Sequence, residues 1–397
     1  MPKLLQINVT ANWGSTGKIA ESIGIAAINA GWDSYVAYGR WCTTSQSHLI
    51  KIGGRFDMYL HYAEQRIRDN EGLCSRYATK QLVRQIKDLK PDVVQLHNIH
   101  DHYLNYRLLF DYLNQTEIKV VWTFHDCWAF TGHCFHFVTK NCEKWKTECR
   151  ECPMRNVFPK TLFDMSKENY ARKKQLFSSC ENLTIISCSD WMANFVEQSF
   201  LKDKRIEVIK NGVDLNVFKP LARKEIDGIF NILAVSNVWN KDKGLFDIYR
   251  LRNLLPEKYA ITIVGLSAKQ RDSLPTGING IERTQNVNEL VQLYSNADVL
   301  INPTYADTFP TVNLEALACG TPVVTYMTGG SPEAIDKQTG LGVEQGDVNG
   351  LVTAINDICS KDRTQLGKDC RARAEQYFDK DKCFERYIEL YDELLSN

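Results

Sequence analysis

Asp307 and Glu315 stand eight positions apart in "DTFPTVNLEALACGTPVVTYMTGGSPE", residues 307–333. The preceding run "DVLINP" (298–303) reads as a strand, and a helix start is expected near Pro310 to Val312, where proline suits a first helical position. Gly320 in left-handed geometry can stop that helix, and Pro322 keeps it from resuming. The opening turn of such a helix offers unpaired backbone N–H groups suited to a phosphate. Glu315, one turn further in, is placed to accept hydrogen bonds from vicinal sugar hydroxyls, and Asp307 to sit nearer a reacting centre. In isolation the two acids would be a turn cap and an ordinary helix acid. Their full context favours a binding site.

Other candidates fall at expected strand ends. Lys243 precedes a glycine at a strand-to-helix turn in "KDKGLFDI" (241–248), a position for a phosphate ligand rather than a plain surface lysine. His125 follows the apolar run "KVVWTF" (119–124) and precedes Asp126, which places it at a cleft lip; the alternative is a satisfied loop histidine. Gly14 and Gly17, in "TANWGSTGKIAES", permit close backbone approach to a diphosphate or acceptor, as they also permit a tight turn. The stretch 132–153, "GHCFHFVTKNCEKWKTECRECP", carries Cys134, Cys142, Cys149 and Cys152, four thiols in nineteen residues with one CxxC. Four thiolates suit a closed structural zinc site, with His133 or His136 able to replace one; unligated thiols or a disulfide pair are the alternatives. "HNIHDHYLNYRLLFDYL" (97–113) offers an aromatic face for a lipid-linked acceptor or membrane, against plain packing on its own sheet.

These residues need a scaffold. Apolar β-type runs recur at 4–9, 34–39, 92–97, 119–124 and 183–188, and again at 206–210, 231–236, 261–265, 298–303 and 322–326. Between them lie helical patterns such as Ile19, Ile23 and Ala27; Leu82, Ile86 and Leu89; and Leu290, Leu293 and Tyr294. Uninterrupted apolar strands alternating with helices indicate parallel sheets covered on both faces. The expectation is α/β, with two doubly wound Rossmann-like domains facing a cleft, over 1–203 and 204–376. A last helical segment, 377–397, should dock back on the first domain. In such sheets ligands bind beyond the carboxyl ends of the strands, where the polar candidates fall.

A chain of 397 residues exceeds one ordinary core. With 44% apolar and 24% charged residues it reads as globular. Lys plus Arg equals Asp plus Glu, 48 each, so no global field draws nucleic acid. The opening run reads as a first strand rather than a signal peptide, and no apolar run approaches the ~20 residues of a membrane span. We expect a cytoplasmic protein with mostly reduced cysteines, in peripheral contact with the inner face of the membrane.

The stretch 307–333 resembles the signature of the retaining glycosyltransferases of family four, which have the two-domain GT-B fold. The match runs through Asp307, Phe309, Pro310, Glu315, Ala316, Ala318, Gly320, Pro322, Val323, Val324, Gly329, Gly330 and Glu333. "NGVDLNVFKP" (211–220), "KDKGLFDI", "TFHDCW" (123–128) and the glycine loop at Gly14 and Gly17 agree with it, and the Cys-rich loop suggests a bacterial polysaccharide-type subfamily. The resemblance implies that Glu315 binds the nucleotide ribose, and that Asp307 contacts the donor sugar near its anomeric end. Lys243 would neutralise the departing diphosphate, Phe309 would contact the donor, and the turn Pro310, Thr311, Val312 would take phosphate oxygens. Val287 would lie beside the base, and His125 would contact the sugar or phosphate. It further implies hexose transfer from a nucleotide-diphosphate sugar, UDP-linked, to a saccharide or lipid-linked saccharide, with no cofactor required for catalysis. An epimerase of the same fold and a non-catalytic sugar-nucleotide binder are the competing readings. Two departures stand out. The first acid is usually Glu where this chain has Asp307, and an Arg is usual where it has Val238, which leaves Lys241 as the candidate second cation.

Overall fold

The computed structural model describes residues 1–223 and 228–396. The chain forms two compact units, Met1–Ile209 with Phe384–Asn397, and Lys210–Cys383. These boundaries fall later than the expected joins at 203/204 and 376/377.

The first unit alternates strands and helices. It begins β1 (Lys3–Asn8), α1 (Gly14–Asn29), β2 (Asp33–Tyr38), β3 (His48–Lys51), α2 (Arg55–Arg68) and α3 (Arg76–Leu89). There follow β4 (Val93–Leu96), α4 (Tyr106–Leu113), β5 (Lys119–Phe124), α5 (Ser166–Ser178), β6 (Leu183–Ser187), α6 (Asp190–Glu197) and β7 (Arg205–Val208). The strands make one parallel sheet in the order β3-β2-β1-β4-β5-β6-β7. β5, "KVVWTF", is buried over five of its six positions, as a central strand covered on both faces must be. The run at 206–210, expected to open the second set, supplies β7, which pairs with β6 at the edge of the first sheet.

The second unit contains β8 (Phe230–Val235), α7 (Leu245–Leu254), β9 (Tyr259–Val264), α8 (Ala268–Asp272), β10 (Ile278–Ile281) and α9 (Val287–Asn296). It continues through β11 (Val299–Asn302), α10 (Thr311–Ala318), β12 (Val323–Tyr326), β13 (Gly340–Val343), α11 (Val348–Ser360) and α12 (Arg363–Tyr377). Its parallel sheet runs β10-β9-β8-β11-β12-β13. Each sheet therefore reverses its winding once, between β1 and β4 in the first and between β8 and β11 in the second. Those are the positions where a parallel sheet opens a crevice at its carboxyl edge.

A last helix, α13 (Lys380–Ser396), spans the division at 383/384. Phe384, Tyr387, Ile388 and Tyr391 join Leu4, Ile23, Val93 and Val121 in one buried cluster that covers a face of the first sheet. Each such side chain removed from water contributes ~1.5–3 kcal/mol. Tyr391 also donates to Gln95 Oε1 at 2.9 Å, which satisfies its hydroxyl within the core.

The membrane-facing role considered for 97–113 does not fit α4. Tyr106, Leu109, Phe110 and Leu113 are at most 2% exposed and belong to the core of the first unit. No helix among the described residues is long and apolar enough to cross a membrane.

Candidate functional site

The second sheet brings two expected residues together at its switch point. After β8 a short 3-10 turn, Lys241–Lys243, is capped by Asn240, whose side chain accepts the Lys243 N–H at 3.0 Å. After β11 the loop runs from Pro303 to Pro310. The Lys243 ammonium lies 2.5 Å from Asp307 Oδ2, both side chains partly exposed. Two glycines let these loops close on each other. Gly244 has φ +73°, and a Cβ there would lie 2.1 Å from the Pro303 carbonyl oxygen. Gly329 has φ +62°, and a Cβ there would lie 1.7 Å from the Asp307 carbonyl oxygen. Both positions require the left-handed backbone and leave no room for a side chain.

Pro310 is the N-cap of α10 rather than its first helical residue, and the helix opens at Thr311 and Val312. Gly320 ends it with φ +76°. A buried chain of polar groups fixes its start. Asn302 Nδ2 donates to Asn313 Oδ1 at 2.9 Å, Asn313 Nδ2 donates to Ser331 Oγ at 3.0 Å, and Ser331 Oγ meets Thr325 Oγ1 at 2.6 Å. This network links β11, α10, β12 and the turn carrying Gly329 and Gly330. Its members are fully paired, the condition for a buried polar group to hold geometry rather than cost stability. Glu315 accepts from the Tyr294 hydroxyl at 2.8 Å, which orients its carboxylate from α9. Val287 is 45% exposed at the start of α9. Phe309 differs from its expected role: its ring is 3% exposed and packs against Phe378, so it is a core residue. A second cation near this face is Lys210, 3.1 Å from Glu333, whereas Lys241 is exposed in its turn.

The first unit has its own switch-point cluster. Gly14 opens α1 with φ +66°, and Gly17 packs beside Thr10. His97, just after β4, shares a 3.1 Å hydrogen bond between its Nδ1 and Nε2 of His125, the residue after β5. The network assigns the tautomers. Gln6 donates its amide to the Ala20 carbonyl at 2.7 Å, so its oxygen accepts from His97 Nε2–H at 3.1 Å. His97 Nδ1 then accepts from His125 Nε2–H, and Nδ1 is the acceptor nitrogen of His125. Burial pushes His125 down to about 4 against the opposing pull of the Asp126 carboxylate, with His100 adding to the fall. It holds His97 well below the ordinary range, with charge on His125 adding to the effect. Burial would raise the Asp126 carboxyl, but His100, 2.9 Å away, outweighs it and brings it down to about 2. The sequence places His97, like His125, at a strand end facing the ligand mouth, without a role of its own. Its histidine-rich context was visible, but its pairing with His125 depends on β4 and β5 lying side by side.

Cys134, Cys142, Cys149 and Cys152 line one cavity with His133 in the loop after β5.

Two parallel, doubly wound α/β units, each with polar loops at its switch point, define a GT-B protein. Solved structures share this fold over the whole chain. Sucrose-phosphate synthase from Thermosynechococcus elongatus has a TM-score of 0.71 at 17% identity, covering 100% of both chains. WaaG, a glycosyltransferase involved in lipopolysaccharide biosynthesis, has a TM-score of 0.66 at 13% identity, covering 98% of this chain and 99% of its own. Residues 26–217 match Glycosyltransferase Family 4, and residues 230–361 match Glycosyl transferases group 1. A protein of Escherichia coli (strain K12) named as a colanic acid biosynthesis glycosyl transferase, WcaC, is 27% identical over 369 residues, 88% of this chain and 89% of that protein. An N,N'-diacetylbacillosaminyl-diphospho-undecaprenol alpha-1,3-N-acetylgalactosaminyltransferase of Campylobacter jejuni is 28% identical over 52% of this chain and 59% of its own length. The chain belongs to the family-four, group 1 glycosyltransferases.

Proposed function

We propose that this protein is a retaining glycosyltransferase that moves a hexose from a nucleotide-diphosphate sugar, UDP-linked, to a saccharide or lipid-linked saccharide in cell-surface polysaccharide synthesis. The observation that carries the reading is the Lys243–Asp307 pair beside the opening turn of α10. Breaking a glycosyl–phosphate bond builds negative charge on the leaving oxygen, and a fixed cation with backbone N–H groups lowers that barrier. In this scheme Lys243, Thr311 and Val312 meet the diphosphate, Asp307 meets the sugar, and Glu315, oriented by Tyr294, meets the ribose. The departing phosphate oxygen takes the acceptor proton on the same face, so the anomeric configuration is kept. We assign His125, oriented by His97, to recognition of a sugar hydroxyl. No metal enters this chemistry, because Lys243 and the helix start supply the positive charge.

The relatives support the substrate classes. WcaC is named for colanic acid biosynthesis, the Campylobacter enzyme for a diphospho-undecaprenol substrate, and Anabaena HepE, of the same fold, was solved with UDP and glucose. Peripheral membrane contact in this reading falls on α2 rather than α4. Phe56, Tyr59, Leu60 and Ile67 are 46–73% exposed there, on a helix that also carries Arg55, Arg66 and Arg68. An apolar face with flanking arginines suits an anionic bilayer surface. Sedimentation with anionic vesicles should fall on Phe56→Glu; unchanged sedimentation would remove α2 from the account.

Proton NMR of the transfer product tests the central reading. An α-linked donor should give an α-linked product, only when acceptor is present. A β-linked product contradicts retention, and donor consumed without acceptor points to epimerisation.

A further inference from the structure

Residues 125–165, between β5 and α5, contain only three 3-10 turns as regular structure. Little backbone ladder holds so long a loop, so side chains must. Part of the hold is aromatic: Trp145 stacks on Phe137 at 4.7 Å and meets Phe130 at 5.3 Å. The rest gathers at a second place, the cavity lined by the four cysteines and His133.

The polar contacts there are those of a ligand set. Cys149 Sγ accepts the Gly132 N–H at 3.3 Å, Cys152 accepts a backbone N–H from Met154, and the Cys134 and Cys152 thiols reach each other. Backbone N–H groups directed at sulfur stabilise a thiolate. His133 is 3% exposed, its Nδ1 lies 2.5 Å from Asp69 Oδ1, and its Nε2 is buried with no hydrogen-bond partner. Asp69 is itself held by the Met165 N–H at 3.1 Å. A histidine with one nitrogen tied to a carboxylate and the other unpaired has the arrangement that metal-binding histidines adopt.

A second cluster sets a contrast. Among the described residues, His61, Glu71 and His102 are the group whose donor atoms already lie within 4.8 Å of one another. Yet those atoms are occupied. Glu71 Oε1 accepts from the Asp101 and His102 N–H groups, and Oε2 lies 2.6 Å from His102 Nδ1. His61 bonds Ser75 through Nδ1 and accepts from Gly72 through Nε2. Both ring nitrogens of His61 and one oxygen of Glu71 are thus engaged within the protein, and Glu71 Oε2 faces His102 Nδ1 at 2.6 Å. The cysteine sulfurs share a cavity rather than a single point, and each turns on one bond, the rotation that closing around an ion requires.

We propose that this cavity binds one zinc ion through the thiolates of Cys134, Cys149 and Cys152, with Cys142 or His133 as the fourth ligand. Each thiol gives its proton to solvent as its sulfur binds, and the tetrahedral ion ties both ends of the loop together. The zinc is structural, so its presence does not depend on the transfer reaction.

Elemental analysis of the purified full-length protein should find about one zinc per chain. Cys149→Ser with Cys152→Ser should abolish it, and one of Cys142→Ser and His133→Ala should lower it. Stripping the metal should lower the melting temperature. If the double variant does not fold, wild-type protein grown with cobalt should show tetrahedral cobalt bands with thiolate charge transfer. Metal-free wild-type protein, full zinc in the folded double variant, zinc unchanged in both fourth-ligand variants, absence of the cobalt signature, or an oxidised cysteine pair by thiol count would each overturn the proposal.

Discussion

Both sheets reverse their winding beside their first strand, and the loops that meet there differ in kind. At β8 and β11 they present opposite charges, Lys243 against Asp307, with Glu315 one turn into α10. At β4 and β5 they present two imidazoles that burial keeps neutral and that a fixed chain of hydrogen bonds from Gln6 orients. The same topology therefore supplies two functions. The charged mouth can answer charge that develops during a reaction. Through His97 and His125, which burial keeps uncharged near neutral pH, the first mouth can recognise hydroxyl groups or align them.

That contrast ranks the effects of substitution. Asp307→Asn should be the most damaging, lowering kcat about 10²–10³-fold with a smaller change in donor affinity, as for loss of a transition-state contact. Steady-state kinetics with a saturating donor measures it, and a loss confined to KM would place Asp307 in ground-state binding instead. Glu315→Gln should act the other way, weakening nucleotide affinity about 10–100-fold, the scale of a hydrogen bond to a charged group, with turnover nearly kept. Calorimetric titration with the nucleotide alone reads that directly.

The neutral mouth should respond more weakly. His97→Ala removes the acceptor that orients His125 and should reduce kcat/KM about 3–10-fold, the value of one neutral hydrogen bond. The pH profile gives a second readout. Since His125 is pushed down to about 4, from about 6.5 in the unfolded chain, it should produce no acid limb in the rate above about pH 5. Stability behaves differently. As pH falls through 6.5 toward 4 the unfolded chain takes up the proton first, so denaturation midpoints should fall across that window. Burial would lower His100, but Asp126 outweighs it and raises that histidine, which gives the opposite trend. The check is therefore the difference between wild type and His125→Asn. A wild-type midpoint that rises relative to the variant as pH falls would mean that His125 is charged in the folded protein.

The sequence disclosed the central strands and withheld the edges. "KVVWTF" and "PVVTY" are unbroken apolar runs with β-branched residues, legible because both faces of a parallel strand are buried. β3 (HLIK) is exposed or half-exposed throughout, β10 (INGI) has a glycine in its interior, and β13 (GLGV) is half glycine. Such edge strands form because a neighbour is already in place, which no local pattern announces. β7 was assigned to the wrong sheet for the same reason. At the candidate site the residue types were legible, but not their partners. Lys243 and Asp307 lie 64 positions apart, and only the β8–β11 adjacency brings them together. Motif matching also marked Phe309 as a donor contact, although its ring packs in the core, where a motif can be kept for packing alone.

The assignment of charge to the second mouth rests most directly on Lys243. Lys243→Ala, assayed for both donor dissociation constant and single-turnover rate, should lose about 10²–10³-fold in rate and less than about tenfold in affinity. The reason is that charge on the leaving diphosphate grows as the bond breaks. A variant that turns over near the wild-type rate once saturated with donor would contradict the account.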